Sequence, residues 1–118
     1  MKKIEAIIRK TKFEDVKEAL LAADIEWFSY FDVRGVGKMR QARIYRGVMY
    51  DTSAIERIQM SIVVRDINVE KTVRAIMSAA QTGEIGDGRI FILPVDDAIR
   101  IRTGERGDFA LYNAEKAE

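Results

Sequence analysis

The hydrophobic positions in the first part of the chain change period twice. Lys3 to Arg9 is a nearly continuous apolar run, which is typical of a largely buried strand. Thr11 and Glu14 have the spacing of a capping box. Apolar residues then follow at helical intervals: Phe13, Val16, Ala19, Leu20 and Ala23. The pattern therefore predicts a first helix at about Lys12 to Ala23, and the aromatic and β-branched segment Ile25 to Val36 predicts a second strand.

A long charged segment separates this part from a second strand–helix–strand pattern. Lys38 to Ser53 has no clear apolar period, which predicts either a functional exposed loop or a solvated hairpin tip. Ile58 to Val64 predicts the third strand, and Ile90 to Val95 predicts the fourth. Between them, Asp66 or Asn68 can cap a second helix. The buried stripe of that helix is expected at Val69, Val73, Ile76, Met77 and Ala80.

The predicted element order is β-α-β-β-α-β, which indicates an α+β fold of the ferredoxin-like type. Such a fold has an antiparallel four-stranded sheet with both helices on one face. Apolar residues on both sides of the first strand, such as Ile4 and Ile7, mean that the other face also needs covering. This favours a contact between subunits through the sheet. The 118 residues fit one domain, 1–118, with a mixed-charge tail from about Arg106.

The composition excludes several function classes. Apolar residues make up 47% of the chain and charged residues 33%, as in an ordinary globular domain. The net charge is +1, which argues against a general nucleic-acid or membrane binder. The chain has no cysteine and no histidine, so disulfides, thiol chemistry and histidine catalysis are absent, and no metal site is predicted. Without a signal peptide or a long apolar run, a cytoplasmic location is expected.

A glycine-rich stretch lies between the second predicted helix and the fourth strand. It reads Thr82-Gly83-Glu84-Ile85-Gly86-Asp87-Gly88-Arg89, and a later stretch reads Ile99-Arg100-Ile101-Arg102-Thr103-Gly104-Glu105. Glycines let backbone N–H groups approach an anion closely, and arginine supplies a planar fork of donors. If Ile99 to Arg102 is extended, both arginines lie on one face. The stretch predicts either a polyphosphate site or a tight turn followed by an amphipathic strand.

These motifs closely resemble the signature of the PII signal-transduction family of trimeric nitrogen regulators. The family pattern is Thr-Gly-x-Ile-Gly-Asp-Gly-Lys-Ile-Phe followed by Ile-Arg-Ile-Arg-Thr-Gly-Glu, and the change at these positions is Arg89 for lysine. The opening stretch from Met1 to Arg9 and the sequence Tyr45-Arg46-Gly47 match as well, so the resemblance extends to about Glu105. It implies a homotrimer that binds ATP or ADP between subunits and signals through a mobile loop.

The resemblance also implies which residues form the nucleotide site. Gly86, Asp87, Gly88 and Arg89 would hold the phosphates, with Arg100 and Arg102 from the same chain. The neighbouring chain would supply Gly35, Val36, Gly37 and Lys38. Ile7, Ser29 and Val63 would line the adenine and ribose pocket. For Ile7 and Val63, the residues by themselves favour plain core packing.

The segment from about Lys38 to Ser53 matches the T-loop, which inserts into partner proteins in this family. Arg46 matches the arginine that enters an ammonium transporter in the transporter-associated subgroup, so the implied partner is such a transporter or a nitrogen-assimilation enzyme. Tyr50 matches a tyrosine that some bacterial members uridylylate. The residues alone favour an unmodified, exposed loop tyrosine at Tyr50.

One departure from the family bears on the effector. Met39 stands where the family has a glutamine that ligates Mg²⁺ between ATP and 2-oxoglutarate, and a thioether is a poor ligand for this hard cation. Arg9 and Arg57 are candidates to pair with the dicarboxylate, and Arg57 replaces the usual lysine. Gln41 could reach the site only if the loop, which is one residue shorter, refolds. We therefore expect adenine nucleotides to bind, Mg²⁺ to accompany ATP, and 2-oxoglutarate to bind weakly or not at all.

Two other function classes are compatible with a ferredoxin-like fold. A small phosphate-processing enzyme, such as a slow ATPase or an acylphosphatase type, would need a paired base and nucleophile, which the sequence does not show. An RNA-recognition module would need stacking aromatic residues on its inner strands, where the fourth strand offers Phe91. The sequence therefore favours a regulator that is not an enzyme and that binds no nucleic acid.

Overall fold

The computed structural model describes residues 1–36, 43–45, 48–50 and 54–111, with the backbone alone described at 43–45, 48–50, 54 and 55. Its strands are β1 (Lys2–Arg9), β2 (Ser29–Val36), β3 (Arg43–Tyr45), β4 (Val48–Tyr50), β5 (Ala54–Val64) and β6 (Gly88–Pro94). Its helices are α1 (Phe13–Ala22) and α2 (Val69–Ala80), and short 3-10 turns cover Lys10–Lys12, Asp66–Asn68 and Gly107–Ala110. In the part of the chain described, no helix is long and apolar enough to cross a membrane.

The main sheet has the strand order β2-β5-β1-β6, and each neighbouring pair is antiparallel. Strand β1 lies inside the sheet, where Lys2 is opposite Val64 of β5 and Ile8 is opposite Gly88 of β6. Together with two helices in the connections, this arrangement confirms the predicted α+β, ferredoxin-like fold. It also brings the start of β6 and the end of β1 to one end of the sheet, where the glycine-rich loop lies.

The two faces of the sheet differ in burial because strand side chains alternate. Ile4, Ala6 and Ile8 of β1 are buried in one core with residues of β5 and both helices. Its other buried members include Met60, Ile62, Val16, Leu20 and Ile76. The opposite face keeps apolar residues accessible in the single chain, among them Phe31 at 52% exposure and Phe91 at 45%. The expected second apolar face is therefore present.

The segment predicted as a long loop contains regular structure. Within it, β3 and β4 pair antiparallel, with Arg43 opposite Tyr50 and Tyr45 opposite Val48. Strand β5 also begins at Ala54, earlier than the predicted Ile58, and it pairs with β2 up to Val36. The segment therefore contains a short hairpin, which is consistent with the hairpin alternative that the sequence left open. Alternating apolar residues in such short strands are too few to show a period, so the sequence pattern missed them.

Both helix starts differ from the capping that the sequence suggested. Thr11 lies inside the 3-10 turn before α1, so the N-cap position falls on Lys12, which makes no side-chain capping bond. Asn68 occupies the N-cap of α2, also without a side-chain bond. Asp66 instead accepts a hydrogen bond from the amino group of Met1 at 2.9 Å. The 3-10 turns shift the cap positions, so the predicted capping box is wrong.

The buried stripe of α2 is also rotated from the prediction. Ile76 and Ala80 are buried as expected, and Val69 and Val73 pack against the core. Met77, however, is 48% exposed, whereas Thr72 is fully buried. The hydroxyl of Thr72 donates to the backbone carbonyl of Asn68 at 2.7 Å. This bond satisfies the polar group, which allows a threonine to occupy a core position.

Candidate functional site

The glycine-rich loop joins the end of α2 to the start of β6. Three of its glycines have positive φ angles: 88° at Gly83, 102° at Gly86 and 109° at Gly88. These are backbone conformations that side chains with a Cβ rarely adopt. At Gly88 a Cβ would also overlap the carbonyl oxygen of Ile7 on the neighbouring strand. The glycines are therefore required by the backbone path of the loop.

The carboxylate of Asp87 closes the loop from inside. One oxygen accepts the backbone N–H groups of Thr82 at 2.8 Å and of Gly83 at 2.9 Å, and the other accepts the Thr82 hydroxyl. These bonds, led by the Thr82 hydroxyl and helped by Arg9, hold the pKa of Asp87 well below its usual range. The ionised carboxylate of Asp87 therefore stabilises the folded protein. This contribution is complete at pH values above the pKa that Asp87 has in the unfolded chain, and it is lost as the pH falls through the lower pKa that Asp87 has in the folded protein.

Arg9, at the end of β1, holds the same loop from the side. Its Nε donates to Asp87 Oδ1 at 3.1 Å, and a terminal nitrogen donates to the backbone carbonyl of Ile85 at 3.0 Å. The side chains of Arg9 and Asp87 are 25% and 23% exposed, so the pair is partly shielded from water. The resemblance named Arg9 and Asp87 as separate ligand contacts, and it did not predict that they pair across 78 residues.

Arg57 lies beside Arg9, because the two residues face each other across the β1–β5 ladder. A terminal nitrogen of Arg57 lies 3.2 Å from where a Cβ of Gly86 would be, and the corresponding nitrogen of Arg9 lies at 3.4 Å. The Cγ of Arg57 lies 3.8 Å from the same position at Gly35 of β2. Burial, and then the charge of Arg9, lower the pKa of Arg57, although an arginine stays charged at neutral pH.

The loop backbone next to these guanidinium groups has unused donors. For the N–H groups of Ile85 and Gly86, the structure shows no acceptor among the residues it describes. Two positive guanidinium groups and two free backbone donors thus lie around Gly86. Chemically, such a set suits an anion with several oxygen atoms, such as a phosphate group. In the described ranges, no cluster of three or more acidic, His or Cys side chains is placed to hold a metal ion.

The other residues of the main sheet that the resemblance named fall into two groups. Arg89 and Ile7 are directly opposite on β6 and β1, and Gly35 and Val36 end β2 at the same end of the sheet as Gly86. Gly35 and Val36 thus lie near the glycine-rich loop of their own chain, whereas the resemblance implied that they come from a neighbouring chain. Ser29 and Val63 lie toward the other end of the sheet, since Ser29 aligns with Ser61 and Val63 with Lys3.

The paired arginines of the C-terminal part lie in a tight turn and not in a strand. Ile99 forms an isolated antiparallel bridge with Arg106, and the chain reverses between them. Arg100 donates to Glu105 Oε1 at 2.7 Å and to the carbonyl of Phe109 at 3.1 Å. The extended segment with both arginines on one face is therefore wrong. Gly104, whose φ is 77°, allows the turn that the alternation of isoleucine and arginine concealed.

Several predicted residues lie outside the described part of the chain. These are Gly37, Lys38, Met39, Gln41 and Arg46. Tyr50 ends β4, and its side chain is also outside the described part. The residue that the sequence reasoning missed is Thr82, whose hydroxyl and N–H both bind Asp87. A threonine two residues after a helix, with an aspartate five residues later across two glycines, was the available signal.

Comparison with known proteins identifies the family. The sequence model of the family described as nitrogen regulatory protein P-II matches residues 1–105. Proteins named nitrogen regulatory protein P-II from Cereibacter sphaeroides and Nostoc punctiforme are each 47% identical over 112 residues, which are 94% of this chain and 100% of each relative. The Rhodospirillum rubrum protein of the same name is 43% identical over the same span. Such proteins are signalling regulators and not enzymes, which sets aside the phosphate-processing alternative. The chain belongs to the nitrogen regulatory protein P-II family.

Proposed function

We propose that this regulator binds ATP or ADP with its phosphates at the glycine-rich loop. The observation that carries the proposal is the convergence of Arg9 and Arg57 on Gly86, beside backbone N–H groups that have no other acceptor. A di- or triphosphate brings several charged oxygens, and charge-assisted hydrogen bonds to such oxygens are the strong ones. Arg89, opposite Ile7, adds a third guanidinium on a neighbouring position of the sheet.

The proposed nucleotide site lies between subunits of a homotrimer. On the sheet face with Phe31 and Phe91, these apolar side chains are accessible in the single chain, so covering the face with other copies would bury them. Ser29 and Val63 are distant from the glycine loop along the strands of one chain. We assign their contact with the nucleotide to a neighbouring subunit. Gly35, Val36, Gly37, Lys38, Gly88, Arg100 and Arg102 complete the proposed set.

Titration calorimetry with ATP and ADP tests the nucleotide proposal directly. Arg102→Ala should weaken ATP binding by about 1.5–3 kcal/mol, which is about 10- to 150-fold, because it removes a charged donor. Arg74→Ala is the control, since Arg74 is exposed on α2 and belongs to the helical layer. Wild-type protein without measurable nucleotide binding would refute the site. Equal losses of ATP affinity in both variants would show that Arg102 is not part of the nucleotide site.

The T-loop is proposed to carry the partner contact. Its strands β3 and β4 form a ribbon separate from the main sheet, which gives the chain a distinct element for docking. Arg46 lies between these strands in sequence, and the proposed partner is an ammonium transporter or a nitrogen-assimilation enzyme.

Arg46→Glu should weaken capture of a co-expressed ammonium transporter by about 2 kcal/mol or more, because it reverses the charge at the contact. Co-purification with the transporter measures this, and Arg74→Glu is the control for the same charge change on α2. Undiminished capture by Arg46→Glu would contradict a contact through this residue.

The effector proposal is that 2-oxoglutarate binds weakly or not at all. The thioether of Met39 replaces the oxygen ligand that Mg²⁺ would need in this family. Arg9, one of the two candidate dicarboxylate partners, is already bonded to Asp87 and Ile85.

Titrating 2-oxoglutarate into protein saturated with Mg-ATP should give little or no heat, and Met39→Gln should raise the affinity about tenfold or more by restoring an oxygen ligand. Met39→Leu is the matched control, because it keeps the size and adds no ligand. Tight binding by the wild type, with no gain in Met39→Gln, would contradict the proposal.

A further inference from the structure

Two arginines with like charges lie side by side at the end of the sheet, and they differ in their surroundings. Arg9 and Arg57 are partners across the β1–β5 ladder, and both reach Gly86. Arg9 has a carboxylate partner, Asp87, at 3.1 Å. For Arg57, no carboxylate lies within ion-pair distance among the described residues. Within the described ranges, Arg57 thus has no ion pair and senses Asp87 only at longer range, whereas Arg9 is paired directly with Asp87.

The contacts of Arg9 stabilise the conformation of the glycine-rich loop. Its Nε binds the carboxylate that also holds the N–H groups of Thr82 and Gly83, so Arg9 and the first half of the loop share one acceptor group. Its terminal nitrogen binds the carbonyl of Ile85, in the second half. Arg9 thus connects both halves of a loop with three positive-φ glycines, whose freedom would otherwise make it costly to order.

We propose that Arg9 is a positioning residue, which acts on the bound anion through Asp87 and the loop backbone, while Arg57 offers its charge to the anion directly. This inference rests on the proposed nucleotide binding. By fixing Asp87 and Ile85, Arg9 holds the N–H groups of Ile85 and Gly86 in place before the phosphate arrives. Ordering a binding loop in advance increases affinity because less conformational entropy is lost on binding.

The geometry requires the arginine fork and not merely a positive charge. Nε and a terminal nitrogen of Arg9 bind two different acceptors, 3.1 and 3.0 Å away. A lysine ammonium is a point charge on a flexible stem and lacks the rigid planar fork that makes these two bonds. We call these two bonds of Arg9, to Asp87 and to Ile85, the clamp. Arg9→Lys therefore keeps the positive charge and loses the clamp. Arg57→Lys is the matched comparison, because it makes the same change at the neighbouring guanidinium.

The first experiment uses the protein without nucleotide. Amide hydrogen exchange, followed by NMR, reports local opening at single N–H groups. In Arg9→Lys, the N–H groups of Thr82 and Gly83 should exchange about tenfold faster than in the wild type, because the acceptor Asp87 is no longer fixed. In Arg57→Lys they should exchange as in the wild type. Unchanged exchange in Arg9→Lys would overturn the proposal, whatever the outcome of nucleotide binding.

The second experiment is a double-mutant cycle on ATP affinity with Arg9→Lys and Asp87→Asn. Each single variant should weaken binding about tenfold, and the double variant should bind no worse than the weaker single, because both changes remove the same clamp. Losses that multiply in the double variant would show direct contact between Arg9 and the ligand, and would overturn the proposal. If the wild type binds no ATP, the proposed function fails, and the exchange experiment still decides on the clamp.

Discussion

Gly88→Ala is expected to destabilise the folded protein by about 3 kcal/mol or more, as strain and overlap add. Gly88 has a φ of 109°, which a residue with a Cβ rarely adopts, and its Cβ would overlap the backbone carbonyl oxygen of Ile7. A backbone atom inside the sheet cannot move aside as the end of a flexible side chain does. Relief would therefore require β6 to shift from β1, where Ile8 faces Gly88.

Gly104→Ala is the control for Gly88→Ala. Gly104 also has a positive φ, 77°, but a Cβ there would meet nothing within 4 Å. The control should lose about 1 kcal/mol, which is the strain of the left-handed backbone alone. Urea denaturation at one fixed protein concentration measures both variants, since the stability of an oligomer depends on concentration. Equal losses at the two glycines would show that the close approach of β6 to β1 is not rigid.

Gly86→Asp is expected to lower the affinity for ATP at least about 100-fold. The new Cβ would lie 3.2 Å from a nitrogen of Arg57 and 3.4 Å from one of Arg9. An aspartate there places its carboxylate beside both guanidinium groups, so it would pair with Arg57, which the proposal gives to phosphate, and would disturb the contacts of Arg9 with the loop. It would also repel the phosphate charge. Calorimetric titration with ATP measures the loss.

Gly83→Asp is the matched control in the same loop. It introduces the same charge at a position with the same kind of backbone, φ 88°, but with nothing within 4 Å. We expect this variant to lose less than about tenfold in affinity, because an exposed charge is screened by solvent and salt. If both variants lose ATP binding equally, the effect comes from net charge or loop strain, and the arginine pair is not the anion site.

A regulator of this kind needs binding sites that communicate, and the structure brings the relevant elements to one end of the sheet. The stem of Arg57 lies against Gly35 of β2, the strand that leads into the proposed T-loop, while its guanidinium reaches Gly86. The proposed phosphate site and the base of the proposed partner-binding loop therefore share one side chain. No chemistry on the nucleotide is needed for this arrangement, which is consistent with a signalling family.

The sequence alone determined the order and type of the main elements. Four strands and two helices were predicted because period-2 and period-3.6 patterns arise from local backbone geometry. The glycine-rich motif was also visible, and its resemblance to PII signatures gave the family that the comparisons confirmed. The exact residues at which the helices begin were less predictable. The 3-10 turn at Lys10–Lys12 moved the cap of α1 from Thr11 to Lys12, although Thr11 and Glu14 have the spacing of a capping box.

Only the tertiary structure decided how the charged residues are used. Arg9 and Asp87 are 78 residues apart, and they meet because β1 and β6 pair so that Ile8 faces Gly88. Arg57 reaches Gly86 because β5 pairs with β1 on its other side. Arg100 turns toward Glu105, although its alternation with isoleucine indicated a strand. Side-chain pairing of this kind depends on strand register and on turn geometry, which hydrophobic periodicity does not encode.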